Sequence, residues 1–197
     1  MRITYPKDGT TYMCSVGFMV SDGTNKYVVT SGHCRPDIST YFNQGTTNLG
    51  QMPFKHQGGN SDVGIIGGGP SNVTYQGGKI YLTSTTSGKY EITQNASEDV
   101  VGEVVRMSGA STATNSEQMG TITNKNFSVS VDGYNYTKLR LASYTSVGGD
   151  SGGTVYNGNK LKGINMGHSG TSAFYCQLEY VLIDLSAITG KTINILF

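Results

Sequence analysis

The chain is cut into apolar or alternating runs too short to be packed helices. "MCSVGFMV", "NKYVVTSG", "SDVGIIG" and "KIYLTS" come first, each bounded by Gly, Asn, Asp or Ser. Such runs read as β-strands joined by turns. A polar stretch, "GKYEITQNASED" (88–99), follows. A second set then comprises "VVGEVVRMSG", "QMGTITNKNFSVSVDG", "YNYTKLRLASY", "GTVYNG", "KLKGINMG" and "SAFYCQL". Only four prolines interrupt the chain, and glycine makes up 28 of its 197 residues, about twice the usual share. In "SVSVDGYNY" the Asp132-Gly133 pair sits between alternating residues, a strong hairpin signal. One helix is expected near the end, where Leu178, Val181, Leu182 and Leu185 fall at i, i+3, i+4 and i+7 and Gly190 lies just beyond. The pattern predicts an all-β protein of two antiparallel barrels or sandwiches in tandem, with the break near residues 90–98. A site between two such units would draw residues from both.

Charge narrows the classes of partner. Charged residues are 14% of the chain and the net charge is +1, with no basic run, so no nucleic acid is expected. No apolar stretch approaches the ~18–20 residues of a membrane span, so no membrane is expected either. "MRITYPKDGT" has no apolar core of the kind a secretion signal carries. Low charge with abundant Gly, Ser, Thr, Asn and Tyr suits a turn-rich secreted protein, which would then be processed from a precursor; a cytoplasmic protein is the alternative. The three cysteines, Cys14, Cys34 and Cys176, fit one disulfide plus a buried thiol, or three free thiols. With no CxxC pair and only His33, His56 and His168 available, no metal site is expected.

One stretch invites chemistry. In "SVGGDSGGTVYNG" glycine pairs flank Asp150 and Ser151. Glycine is used where φ is positive or where something must come close to the backbone. The segment is either a loose surface turn or a loop that aims N–H groups at one spot beside a nucleophilic Ser151. A Ser hydroxyl needs a base, and the base needs an orienting group. His33 directly follows the apolar strand Tyr27–Thr30. Its neighbour Cys34 could pair with Cys14 and fix that turn; a loop of about 20 residues closed this way contributes roughly 3 kcal/mol. Carboxylates between His33 and Ser151 include Asp37, Asp62, Glu91, Glu98, Asp99, Glu103, Glu117, Asp132 and Asp150. Asp62 alone leads an apolar strand, "SDVGIIG", where partial burial would let it hold an imidazole N–H.

"TSGHC", "NSDVGII" and "GGDSGG", in that order, resemble the His, Asp and Ser boxes of chymotrypsin-like serine proteases. The likeness is to the bacterial secreted branch, the streptogrisins and α-lytic protease. "CSVGFMVSDGTNKYVVTSGHC" resembles their first disulfide hairpin, and "VVRMSGASTATNSEQMGTITNKN" their Arg-Ser-Gly segment. The resemblance implies two tandem six-stranded antiparallel β-barrels, residues 1–94 carrying His and Asp and residues 95–197 carrying Ser and a short C-terminal helix. It implies a serine endopeptidase working through an acyl-enzyme: Ser151 as nucleophile, His33 as base, Asp62 orienting His33, and the Gly149 and Ser151 N–H groups as oxyanion hole. It also implies a Cys14–Cys34 disulfide, a substrate-binding strand over Asn165, Met166, Gly167 and His168, and no cofactor. Polypeptides are the expected substrates, a pro-region or protein inhibitor a further partner, and a secreted bacterial monomer the expected form.

The chain also departs from that pattern. The family's buried partner for Asp150 is an Arg, where this chain has Met107, with Arg106 one residue earlier. Arg106 either serves through a shifted register or is a surface charge. Met166 stands where the family has a Ser that hydrogen-bonds the catalytic Asp, and His168 stands where a second Gly is usual. A His near this pocket accompanies cleavage after Glu in some relatives, at a neighbouring position. The second family disulfide has no cysteine pair here, and Cys176 is expected to fill core space. A homologue that binds peptides without turnover is the alternative reading.

Overall fold

In the computed structural model, residues 2–81, 89–95, 98–111 and 117–197 are described. Parts of "KIYLTS", of the polar stretch and of the Arg-Ser-Gly segment (residues 112–116) lie outside them. The strands are β1 (Arg2–Lys7), β2 (Thr10–Ser15), β3 (Met19–Ser21), β4 (Lys26–Thr30), β5 (Tyr41–Gln44), β6 (Thr47–Gly58), β7 (Ser61–Gly68), β8 (Lys79–Tyr81) and β9 (Lys89–Glu91). They continue with β10 (Gln94–Asn95), β11 (Val104–Ser108), β12 (Gln118–Val131), β13 (Tyr134–Ala142), β14 (Thr154–Asn157), β15 (Lys160–Ser169), β16 (Ser172–Gln177) and, after the helix, β17 (Asn194–Ile195). The helix α1 (Leu178–Thr189) buries Leu178, Val181 and Leu185 and ends at Gly190 in the left-handed conformation, as its spacing predicts.

The first sheet runs in the order β17-β3-β4-β7-β6-β5-β1-β2. β2, at one end of that order, and β3, next to the other end, are two halves of one bent strand. β2 pairs with β1, β3 pairs with β4, and the Val16–Phe18 bend stays bonded to β4 through Gly17 N–H to Val29 O and Val29 N–H to Phe18 O, both 2.8 Å. That continuity closes a ring. The second sheet closes directly, because β15 pairs with β14 on one side and with β16 on the other, giving six strands in a ring. Asp132 and Gly133 both take positive φ at the tip of the β12–β13 hairpin, as their dipeptide predicts.

Three apolar clusters explain why the strands lie where they do. Ile3, Val28, Phe42, Met52 and Ile66 fill the first barrel, and Met107, Ile122, Tyr144, Val155 and Tyr175 fill the second. A third cluster lies between them and joins Val29, Val63 and Ile65 to Tyr136, Ile164, Met166 and the helix residues Val181 and Leu185. Successive side chains of a strand face opposite sides, so Val28 enters the first barrel while Val29 enters the seam. β4 and β7 are therefore apolar on both faces, which is why "YVV" and "VGII" are unbroken runs. Fully burying each such side chain is worth about 1.5–3 kcal/mol.

The Cys14–Cys34 disulfide joins the bent strand to the turn after β4 across a sequence separation of 20. Replacing both cysteines by Ser is expected to cost about 3 kcal/mol. Denaturant unfolding measures this, and an unchanged midpoint would contradict it.

Candidate active site

Each candidate residue sits where an element of the seam ends. β4 runs into a single 3-10 turn, Gly32–Cys34, that carries His33. Asp62 is the second residue of β7 and has no exposed surface. The His33 backbone N–H donates to Asp62 Oδ1 at 3.0 Å, and the ring Nδ1 is in short contact with Asp62 Oδ2. Both carboxylate oxygens are thus held by one residue, the compensation a buried charge requires. Gly32 leaves no room between them, since a Cβ there would lie 3.0 Å from Asp62 Oδ1 and 2.6 Å from His56 O.

Burial of the His33 ring favours its neutral form. The Asp62 hydrogen bond and charge, helped by the charge of Asp132, outweigh this, and the pKa lies above the ordinary 6.5. With Nδ1 on Asp62, Nε2 is directed elsewhere, and 31% of the side chain is exposed. Cys14, His33 and Cys34 place ligand-type atoms within 4.8 Å of one another, but both sulfurs are joined in the disulfide, so the group offers no thiolate to a metal.

The Ser151 loop is pressed onto the same turn. Ser151 O accepts the Ser15 N–H at 2.7 Å. Gly152 has φ +83, and a Cβ there would come within 2.2 Å of Thr30 Oγ1 and 2.9 Å of Ser31 N. Gly149 has φ +99 with the Met13 side chain against it. These are the positions that require glycine. The Ser151 hydroxyl donates to Met166 O at 3.4 Å and not to His33. Hydrogen bonds of this kind are often loose before a substrate binds. Among the described residues, no protein acceptor takes the Gly149 or Ser151 backbone N–H.

The remaining site candidates divide by burial. Met166 is buried in the seam cluster, and no side-chain hydroxyl reaches Asp62 among the described residues. Gly167 faces the Phe174 ring, and His168 is exposed at the end of β15. Asn165 is fully buried, with its side-chain amide bonded within the protein. It therefore lies behind the surface a substrate would touch. Arg106 pairs with Glu117 on the outside of the second barrel while Met107 points in, as the two-residue period requires. Asp150 is reached instead by the backbone N–H groups of Ser111 at 3.0 Å and Val147 at 3.1 Å. Cys176 fills the seam, accepts the Asp62 N–H at 3.3 Å, and has its thiol pKa pushed up by burial.

Sequence reasoning did not single out Ser15. It is fully buried, donates to Gly149 O at 2.8 Å and accepts the Ala110 N–H at 2.8 Å. A lone Ser beside a Cys carries no signal of such a role.

No family model matches the chain. Serine protease 2 of Streptomyces fradiae is 33% identical over 161 residues, covering 80% of this chain and 87% of that protein. The chain belongs to the chymotrypsin-like serine proteases. Streptogrisin-A of Streptomyces griseus is 32% identical over 159 residues, and there the protease spans 48% of the relative's length. The crystal structure of Nocardiopsis protease superposes with a TM-score of 0.78 at 24% identity, covering 98% of this chain and 96% of that one. The protease is a serine endopeptidase, and its substrates are polypeptides.

Two outcomes follow. Because the folded state raises the His33 pKa, its contribution to stability is fully present below about 6.5 and is lost as pH rises through the folded value. Imidazole NMR of the intact chain is expected to give a midpoint above 6.5, lowered by Asp62→Asn; a midpoint at or below 6.5 in the unaltered chain would refute the pairing. Gly152→Ala is expected to lose about 2–4 kcal/mol, read by thermal or denaturant unfolding.

Proposed function

We propose that Ser151 attacks the peptide carbonyl, that His33 takes its proton and returns it to the leaving amine, and that Asp62 orients and stabilises the His33 imidazolium. The Gly149 and Ser151 N–H groups act as the oxyanion hole, and Gly167 and His168 run alongside the substrate. The observation that carries this reading is the buried Asp62 carboxylate with His33 on both its oxygens, on a turn against which a loop is packed whose Gly149 and Ser151 N–H groups have no protein acceptor among the described residues. A first barrel drawn from residues 1–94 supplies His33 and Asp62, and a second drawn from residues 95–197 supplies Ser151, except that Asn194–Ile195 returns to pair with β3 of the first sheet. The disulfide and the low charge support secretion from a bacterium.

A fluorophosphonate probe tests the assignment. Stoichiometric labelling of the unaltered chain, lost in both Ser151→Ala and His33→Ala, is expected by intact mass. Peptide hydrolysis should fall about 10⁴-fold or more in each. Labelling that persists in Ser151→Ala would remove Ser151 from the role of nucleophile. His168 presents an exposed imidazole beside Gly167 on β15 and favours an acidic residue before the cut. Peptides that differ only at that residue decide it, and a clear preference for a neutral side chain rejects it.

A further inference from the structure

Asn165 lies on β15 beneath the Ser151 loop with no exposed surface. Its backbone belongs to the ladder: the N–H donates to Gly153 O at 2.8 Å, and the carbonyl accepts the Gly152 N–H at 2.7 Å. The same carbonyl accepts the Ser31 hydroxyl at 3.3 Å, so one residue touches both the Ser151 loop and the turn that carries His33. None of this depends on the side chain, yet the side chain is polar and fully engaged. Nδ2 donates to Ser146 Oγ at 2.9 Å and to Asp150 O at 3.2 Å, and Oδ1 accepts the Tyr144 hydroxyl at 3.0 Å.

Chemistry fixes which end of the amide is which. A backbone carbonyl can only accept, so the group facing Asp150 O is the NH2, and Oδ1 is left for the phenol. Burial raises the Tyr144 pKa well above its ordinary value and keeps it a donor. Neither Asp nor Val reproduces this set. A carboxylate would face a carbonyl oxygen, and an aliphatic side chain would strand the buried phenol.

The consequence passes through one peptide bond. A trans peptide points its C=O and its N–H in opposite directions, and the Asp150–Ser151 bond is trans, with no cis bond among the described residues. Asp150 O is drawn inward by Asn165 Nδ2 and by the Gly153 N–H at 2.9 Å. The Ser151 N–H on the same peptide therefore points outward.

We propose that Asn165 is a positioning residue: its carboxamide holds the Asp150 carbonyl so that the Ser151 N–H faces the oxyanion of the reacting peptide. This rests on the catalytic role proposed for Ser151. Asn165→Ser shortens the side chain beyond reach of Asp150 O. Asn165→Val combined with Tyr144→Phe removes the amide and the phenol it would strand. Each variant of the full chain is assayed for kcat and KM on a peptide amide that the unaltered chain cleaves. Inhibition by a peptide aldehyde, whose hemiacetal oxygen sits at the oxyanion position, is measured alongside, with the melting temperature as a check on folding.

The expected result is a fall in kcat of about 10–100-fold with KM within about threefold, less than the loss of a whole donor. The aldehyde Ki should rise by the factor by which kcat/KM falls, and Tyr144→Phe alone should keep kcat within about threefold. A folded Asn165→Ser or double variant with unchanged kcat overturns the proposal. So does an equal loss in Tyr144→Phe, and so does failure of both Asn165 variants to fold, which would assign the amide to the fold alone. An unaltered chain that neither cleaves peptides nor labels with fluorophosphonate overturns the catalytic reading and the inference with it, a pattern distinct from a loss confined to the variants.

Discussion

The apolar seam between the two barrels is the constraint on which the rest depends. Each barrel has its own interior, but a third cluster is shared, and β4 and β7 contribute to the seam on one face and to the first barrel on the other. A strand buried on both faces cannot slip by one residue without moving a whole set of side chains. The ends of β4 and β7 are therefore fixed with the seam. His33 follows one and Asp62 leads the other.

Two carboxylates of the site, Asp62 and Asp150, have no exposed surface, and each is compensated where its backbone places it. An isolated buried charge is far more costly than the few kcal/mol by which a domain is stable. Asp62 is compensated by the backbone and ring of His33, and Asp150 by backbone N–H groups of Ser111 and Val147 among its partners. The first compensation requires a tight turn, which Gly32 permits and the disulfide holds. The second requires the loop before Ser151 to curl on itself, which Gly149 permits. The same backbone curvature leaves the Gly149 and Ser151 N–H groups without a protein acceptor among the described residues. Charge compensation and the candidate anion site are thus two sides of one loop conformation.

Much of this was legible because it is written in local pattern. Alternation and turn residues located the strands, the i, i+3, i+4, i+7 leucine and valine positions located α1, and Asp132-Gly133 located a hairpin. The Arg106 and Met107 ambiguity resolved along the two-residue period, with the charge outside on Glu117. What could not be read were contacts between residues far apart in sequence that share no local signature. Ser15 bonds to Gly149 across 134 positions, and Asn165 reaches Tyr144 across 21. Asn165 in particular reads from sequence as part of a substrate-facing strand, because one strand carries residues to both faces and only the folded barrel shows which face is the interior.

The absence of a second disulfide gives these polar contacts their weight. The loop before Ser151 has no covalent brace, for Cys176 is the one free cysteine and lies in the seam. The Asn165 side chain makes hydrogen bonds to Tyr144, Ser146 and Asp150 instead. At about 1 kcal/mol net for each buried bond, the set is comparable to the ~3 kcal/mol of a disulfide closing a short loop. The two braces act differently. A disulfide mainly restricts the unfolded chain, whereas a buried hydrogen-bond network acts only in the folded state and fixes orientation as well as distance. Here the orientation it fixes is that of the Asp150–Ser151 peptide. The first barrel is held by a covalent link where the turn must stay closed, and the second by directional bonds where a single N–H must be aimed.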